Sequence, residues 1–107
     1  MKQLVIISLL VGAAAVVSTS AGTKDTYEKE CARCHGSDGK GDTKMGRKLG
    51  AKDYTDPKFQ ETLKDDHMFK TIKEGLKEGD KTKMKPAEGL SDDEIKALVA
   101  YMRAFKK

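Results

Sequence analysis

The apolar positions of this chain fall into two unlike groups. From Leu4 to Val17 they form a run of 14 residues interrupted only by Ser8 and Gly12, preceded by Lys2 and followed by the small residues Ser18 to Gly22. A lone positive charge, a short apolar stretch and small residues, in that order, predict an export signal, residues 1–21, cleaved after Ala21 with Thr19 and Ala21 supplying the small side chains. A retained membrane anchor is the alternative, but crossing a bilayer takes about 20 apolar residues, more than this run provides.

After Gly22 the apolar residues are sparse and recur at helical rather than alternating spacing. Asp25, with Glu28 three residues on, predicts the cap of a helix running through Cys31 and Cys34 to Gly36. The glycines from Gly36 to Gly50 predict a long loop. They do not make a phosphate cradle, since no apolar strand precedes them and no Gly-Lys-Ser/Thr follows. Asp56 and Pro57 form an N-cap and N1 pair that opens a short helix through Leu63. Asp65 or Asp66 caps another, with Met68, Phe69 and Ile72 on one side and Gly75 at its end. The lysine-rich stretch from Gly75 to Gly89, which contains Met84 and Pro86, has no helical stripe and predicts a loop. The last helix carries the clearest signals: Ser91 and Glu94 form a capping box, Leu90 and Ile95 can staple it, and Ile95, Leu98, Val99, Met102 and Phe105 share one face. The pattern is all-α, in a single domain spanning 22–107.

Composition changes this picture at one point. Of the 86 residues after Ala21 only 26 are apolar and none is Trp. A domain of this size with so small a core ordinarily needs a disulfide, a metal or a cofactor as a staple. Charge adds little: one of the 21 basic residues and none of the 17 acidic ones lies before Gly22, leaving a mild excess of 20 over 17. No basic stripe interleaved with aromatics and no nucleic-acid module is present, so nucleic acid is not an expected partner.

The two cysteines lie in Cys31-Ala32-Arg33-Cys34-His35, a C-x-x-C-H pentapeptide of the kind that attaches haem. On a helix, positions i, i+3 and i+4 share a face. Two thiols so spaced reach the two vinyl groups on one porphyrin edge as thioethers, and His35 turns its imidazole to the iron. A disulfide or a thioredoxin-like pair is the rival for an exported chain, but the βαβ context of the latter is missing. Zinc would require further ligands, and only His67 remains outside the pentapeptide.

With these residues in place the chain resembles the class I monohaem cytochromes c over nearly its whole length after the signal. The matching pieces are Tyr27 four residues before Cys31, Cys31 to Gly36, the glycine loop, Lys81-Thr82-Lys83-Met84-Lys85-Pro86, and Leu98 with Tyr101 in the final helix. The resemblance implies a cytochrome c fold, three to five helices around one covalent haem c, with Tyr27 meeting Leu98 and Tyr101 where the first and last helices cross. Family members commonly carry Gly-Pro in the loop after the pentapeptide, the proline carbonyl accepting from the proximal histidine. Here Arg47 follows Gly46, and its carbonyl is the candidate acceptor.

The iron's second axial ligand is expected to be Met84, which stands in the predicted loop just before Pro86 and at the family's ligand position. Met68 and Met102 lie on apolar helix faces and read as core, Met45 lies close behind His35, and His67 is the remaining strong ligand. A His/Met iron implies a carrier of single electrons and not an enzyme; the signal implies export to the periplasm or an equivalent compartment with no membrane insertion after its removal, and a soluble monomer is expected. Lys40, Lys44, Lys48, Lys52, Lys81, Lys83 and Lys85 fall in the two loops expected to border the haem and would suit redox partner proteins with acidic docking surfaces. A haem peroxidase, or a gas or redox sensor module, is the alternative if the sixth iron position is open or weakly held.

Overall fold

The computed structural model describes residues 21–107, so the expected export signal lies, apart from Ala21, outside the described residues. Six helical segments and one hairpin follow: α1 (Ala21–Glu30), α2 (Ala32–His35), α3 (Lys44–Leu49), α4 (Pro57–Glu61), α5 (Asp65–Glu74), β1 (Leu76–Glu78), β2 (Lys81–Met84) and α6 (Asp92–Arg103). No helix among the described residues is long and apolar enough to cross a membrane.

α6 forms as its sequence dictates. The Ser91 hydroxyl accepts from Glu94 N–H at 3.1 Å and the Glu94 carboxylate accepts from Ser91 N–H at 3.3 Å, so both halves of the capping box are made. Its apolar stripe is then buried: Ile95, Leu98, Val99 and Met102 join Met68 and Ile72 of α5 and Tyr27 of α1 in one core. Burial of each of these side chains stabilises the fold by roughly 1.5–3 kcal/mol, which is what holds three otherwise polar helices together. Tyr27 is fully buried where α1 meets α6, its ring centroid 4.8 Å from that of Tyr101 and 5.3 Å from that of Phe105. The expected crossing of first and last helices is therefore present, made by aromatic packing.

Several elements differ from the expectation. α5 begins at Asp65 after Lys64 with no side-chain cap, so Asp65 and Asp66 lie in its first turn instead of capping it, and α4 ends at Glu61, short of Leu63. α1 already includes Asp25, which lies inside the helix instead of capping it, and the helix breaks at Cys31 before α2 resumes. The glycine loop contains α3, capped by the Thr43 hydroxyl, which accepts from Gly46 N–H at 2.8 Å. The stretch expected as a loop after Gly75 forms an antiparallel hairpin, with Leu76 opposite Met84 and Glu78 opposite Lys81. Its two-residue turn is Gly79-Asp80, and Gly79 at φ +60° supplies the positive φ that a tight hairpin turn requires at its first central residue.

α4 is only five residues long and cannot stand on backbone hydrogen bonds alone. Asp56 caps it as expected, accepting from Lys58 N–H at 3.0 Å. The rest of its anchorage is polar and internal. Gln60, 3% exposed, donates to the carbonyls of Tyr54 (2.6 Å) and Met102 (3.0 Å). Arg103 donates in turn to the Gln60 carbonyl (2.7 Å), the Gln60 side-chain oxygen (3.1 Å), the Leu63 carbonyl (2.6 Å) and Asp65 (2.7 Å). One guanidinium thus ties α4, the start of α5 and the end of α6 together.

Candidate haem site

The break at Cys31 shapes the pentapeptide. Cys31 leaves ideal helical geometry at φ −119°, ψ −35°, and the N–H groups of both Cys34 (3.2 Å) and His35 (3.0 Å) return to its carbonyl. Cys31, Cys34 and His35 therefore belong to one tight turn, as their spacing predicts. Neither thiol is in a disulfide; Cys31 is buried and Cys34 half-buried. Burial, with the neighbouring Glu30 and Cys34 as smaller contributors, pushes the Cys31 thiol up to about 11. It stays protonated and slow to oxidise at neutral pH, because the thiolate is the reactive form.

The turn is held from behind at every free carbonyl. A four-residue helix leaves its last carbonyls without internal partners. Here the Thr43 hydroxyl lies 2.8 Å from the Arg33 carbonyl and 3.0 Å from that of Cys34, Gly41 N–H donates to His35 (2.7 Å), and the buried Tyr27 hydroxyl donates to Gly36 (2.7 Å). α3 presses close against the same turn: a Cβ added at Gly46 would overlap the Cys34 carbonyl oxygen. Neither the Thr43 clasp nor the Gly36 acceptor for Tyr27 was foreseen from sequence; the Thr43–Gly46 spacing of a short helix cap was the available signal.

His35 lies within this frame with its ring edge-on to Tyr54, centroids 5.5 Å apart, and Tyr54 is edge-on to Phe59 at 5.3 Å. Burial lowers the His35 pKa and so favours the neutral imidazole, the form that binds metal. Its Nδ1 is buried and has no hydrogen-bond partner among the described residues, so the Arg47 carbonyl does not serve as the expected acceptor. α3 turns that segment into helix, and Arg47 spends its own side chain on Asp42.

The methionines separate clearly. Met68 and Met102 are buried core residues, 4% and 3% exposed. Met45 is half-buried on α3, which packs on α2, and His67 is exposed at the start of α5. Met84 is half-buried at the end of β2 and packs against the core cluster, as do Tyr54, Leu63, Phe69 and Leu90. These side chains touch the core without being enclosed by it. Partly buried apolar side chains around the core, together with a neutral histidine short of a partner and two free thiols on one turn, fit a flat hydrophobic prosthetic group.

Residues 19–102 match the family model described as cytochrome c oxidase, cbb3-type, subunit III. The chain belongs to this family of c-type cytochromes. Among solved structures it is similar to the KustC0563 c-type cytochrome, with 37% identity and a TM-score of 0.70 over 79% of this chain and 98% of that one. A tyrosine-to-phenylalanine mutant of Kustc0563 matches with 35% identity and a TM-score of 0.67, over 78% and 98% of the two chains. No curated protein matches. As a monohaem c-type cytochrome the chain carries covalently bound haem c with its iron, and its chemistry is haem-based electron transfer.

Proposed function

We propose that Cys31 and Cys34 hold the haem as thioethers, that His35 and Met84 ligate the iron from its two faces, and that the protein is a one-electron carrier and not an enzyme. The observation that carries this reading is the turn from Cys31 to Gly36, which groups two free thiols and a neutral imidazole with a buried Nδ1 and has its outward carbonyls already bonded. The bound group supplies reversible one-electron chemistry. The chain's own residues set its conditions. A neutral thioether opposite histidine favours the reduced iron and raises the potential relative to two histidines. With both faces ligated there is no open position for a substrate, which disfavours peroxidase and gas-sensing roles.

Cytochrome c domains are generally exported, and the signal-like residues 1–21 support the same destination for this chain. The loop lysines support docking to acidic redox partners: Lys44, Lys48, Lys52, Lys81 and Lys85 are exposed and make no ion pair among the described residues. Lys83 is the exception, paired with Glu78 at 3.7 Å.

Expression with haem-attachment machinery tests the attachment directly. The expected product is red, gains the mass of one haem per chain, and keeps its colour through acid–acetone extraction, while the Cys31→Ala, Cys34→Ala double variant loses haem to the solvent. A colourless native protein with a Cys31–Cys34 disulfide would overturn the assignment.

A further inference from the structure

Met84 lies on a segment that the end of α5 grips on both sides. Before it, β2 pairs with β1 so that Leu76 is Met84's cross-strand partner, and the ladder is irregular between Leu76 and Lys77. Irregularities of this kind re-aim a neighbouring side chain. After it, the Ala87 N–H donates to the carbonyl of Ile72 at 2.9 Å, and Ile72 is a core residue, 4% exposed. Between these two ties lies Gly75. Its N–H closes the last turn of α5 onto Thr71 at 2.8 Å, and its backbone sits at φ +79°, ψ −177°, a region open in practice only to glycine. A Cβ there would stand 2.6 Å from the Met84 carbonyl oxygen and 2.9 Å from both N and Cδ of Pro86. Residues 84–87 are thus pinned to 72–76 by a strand pair, a close backbone approach and a hydrogen bond to the core.

We infer that Gly75 is a positioning residue for the iron's sixth ligand: by letting the end of α5 lie directly against the Met84–Pro86 backbone, it holds the Met84 thioether in place. The inference rests on the reading of Met84 as the axial ligand and adds what secures it. Thioether sulfur is a weak, neutral donor, so the fraction of time it spends on the iron depends on how far the chain carrying it is already ordered. A competing ligand binds only when the sulfur is off, so its apparent affinity reports that fraction directly.

The structure contains its own control. Gly79, in the turn of the same hairpin, also has positive φ, +60°, but a Cβ there meets nothing within 4 Å. Gly79→Ala therefore imposes backbone strain without displacing Met84, whereas Gly75→Ala imposes strain and a collision with the Met84 carbonyl. The experiment titrates the oxidised holoprotein with imidazole, following loss of the weak long-wavelength band of thioether-ligated ferric haem, alongside the denaturation midpoint. Gly75→Ala is expected to raise apparent imidazole affinity about tenfold or more, and Gly79→Ala to change it less than about twofold while also lowering stability. Equal shifts in the two variants, or a native-like affinity in Gly75→Ala, overturn the inference. If Gly75→Ala does not accumulate as holoprotein, Ala87→Pro, which deletes the N–H given to Ile72, reads the same grip and is expected to raise the affinity; no change overturns it. Met84→Ala separates the two levels. If it leaves native imidazole affinity unchanged, the ligand reading and the inference fall together; if it alone raises the affinity, only the role of Gly75 falls.

Discussion

Tyr27 couples the packing of α1 on α6 to the haem-binding turn. Its ring packs against both Tyr101 and Phe105, which also pack edge-on against each other, and its hydroxyl donates to the Gly36 carbonyl just past His35. Burial holds the phenol well above its ordinary value, with the neighbouring Cys31 a smaller cause. The folded state therefore prefers the neutral phenol more strongly than the unfolded chain does. That preference leaves stability intact below pH about 10, where both states are protonated, and removes it progressively as pH rises further. Tyr27→Phe keeps the ring and loses the hydrogen bond, so we expect a cost of about 1 kcal/mol at neutral pH and a shallower loss of stability in alkali, measured by denaturant unfolding from pH 7 to 11. At this scale the grouping of Cys31, Cys34 and His35 on one turn was legible because the pentapeptide fixes their spacing. Tyr27 was legible only through resemblance. Gln60 was not legible: a single glutamine in a short polar segment looks like surface, and only the fold brings Tyr54, Met102 and Arg103 around it.

Elements were legible in proportion to how local their signals are. α6 has both a reciprocal cap and a long apolar stripe, so its start and the burial of Ile95, Leu98, Val99 and Met102 are as expected, while Phe105 lies past its end and is half-buried. α3 has neither an apolar stripe nor enough length; it exists because Thr43 caps it and because it packs on α2. The hairpin carried one recognisable feature, Gly79-Asp80, flanked by the charged Glu78 and Lys81 in place of alternating apolar residues, and it is tied to the end of α5 by the close approach at Gly75. The same reasoning makes α3 part of the site. Gly46→Ala would force α3 away from the Cys34 carbonyl, since a Cβ has no room there. The expected result is a loss of about 1–3 kcal/mol and a lower yield of haem-loaded protein. Denaturation of purified holoprotein checks the first, and the haem-to-protein absorbance ratio checks the second. Unchanged values in both would mean that α3 does not brace the turn.

Across the whole molecule, eight buried hydrophobic residues form the core of the described chain. That small core agrees with the apolar shortfall after Gly22 and with the covalent haem of the family, which completes a core the side chains leave thin. The formal charge of the full chain is only +4. Any steering of partners must therefore come from where the lysines lie and not from their excess. Changing Lys48, Lys81 and Lys85 together to Glu, with Lys83 left alone because Glu78 already occupies it, should flatten the dependence of electron-transfer rate on ionic strength with an acidic partner. Stopped-flow rates across a salt series measure this, and an unchanged slope would make these lysines plain solvated surface. The central claim concerns the iron itself, and the ferric absorption spectrum of native protein beside Met84→Ala tests it most directly. We predict a low-spin native haem whose weak long-wavelength thioether band disappears in Met84→Ala, with the iron becoming open to added ligands. A high-spin native spectrum, or a thioether band that survives Met84→Ala, would contradict the account.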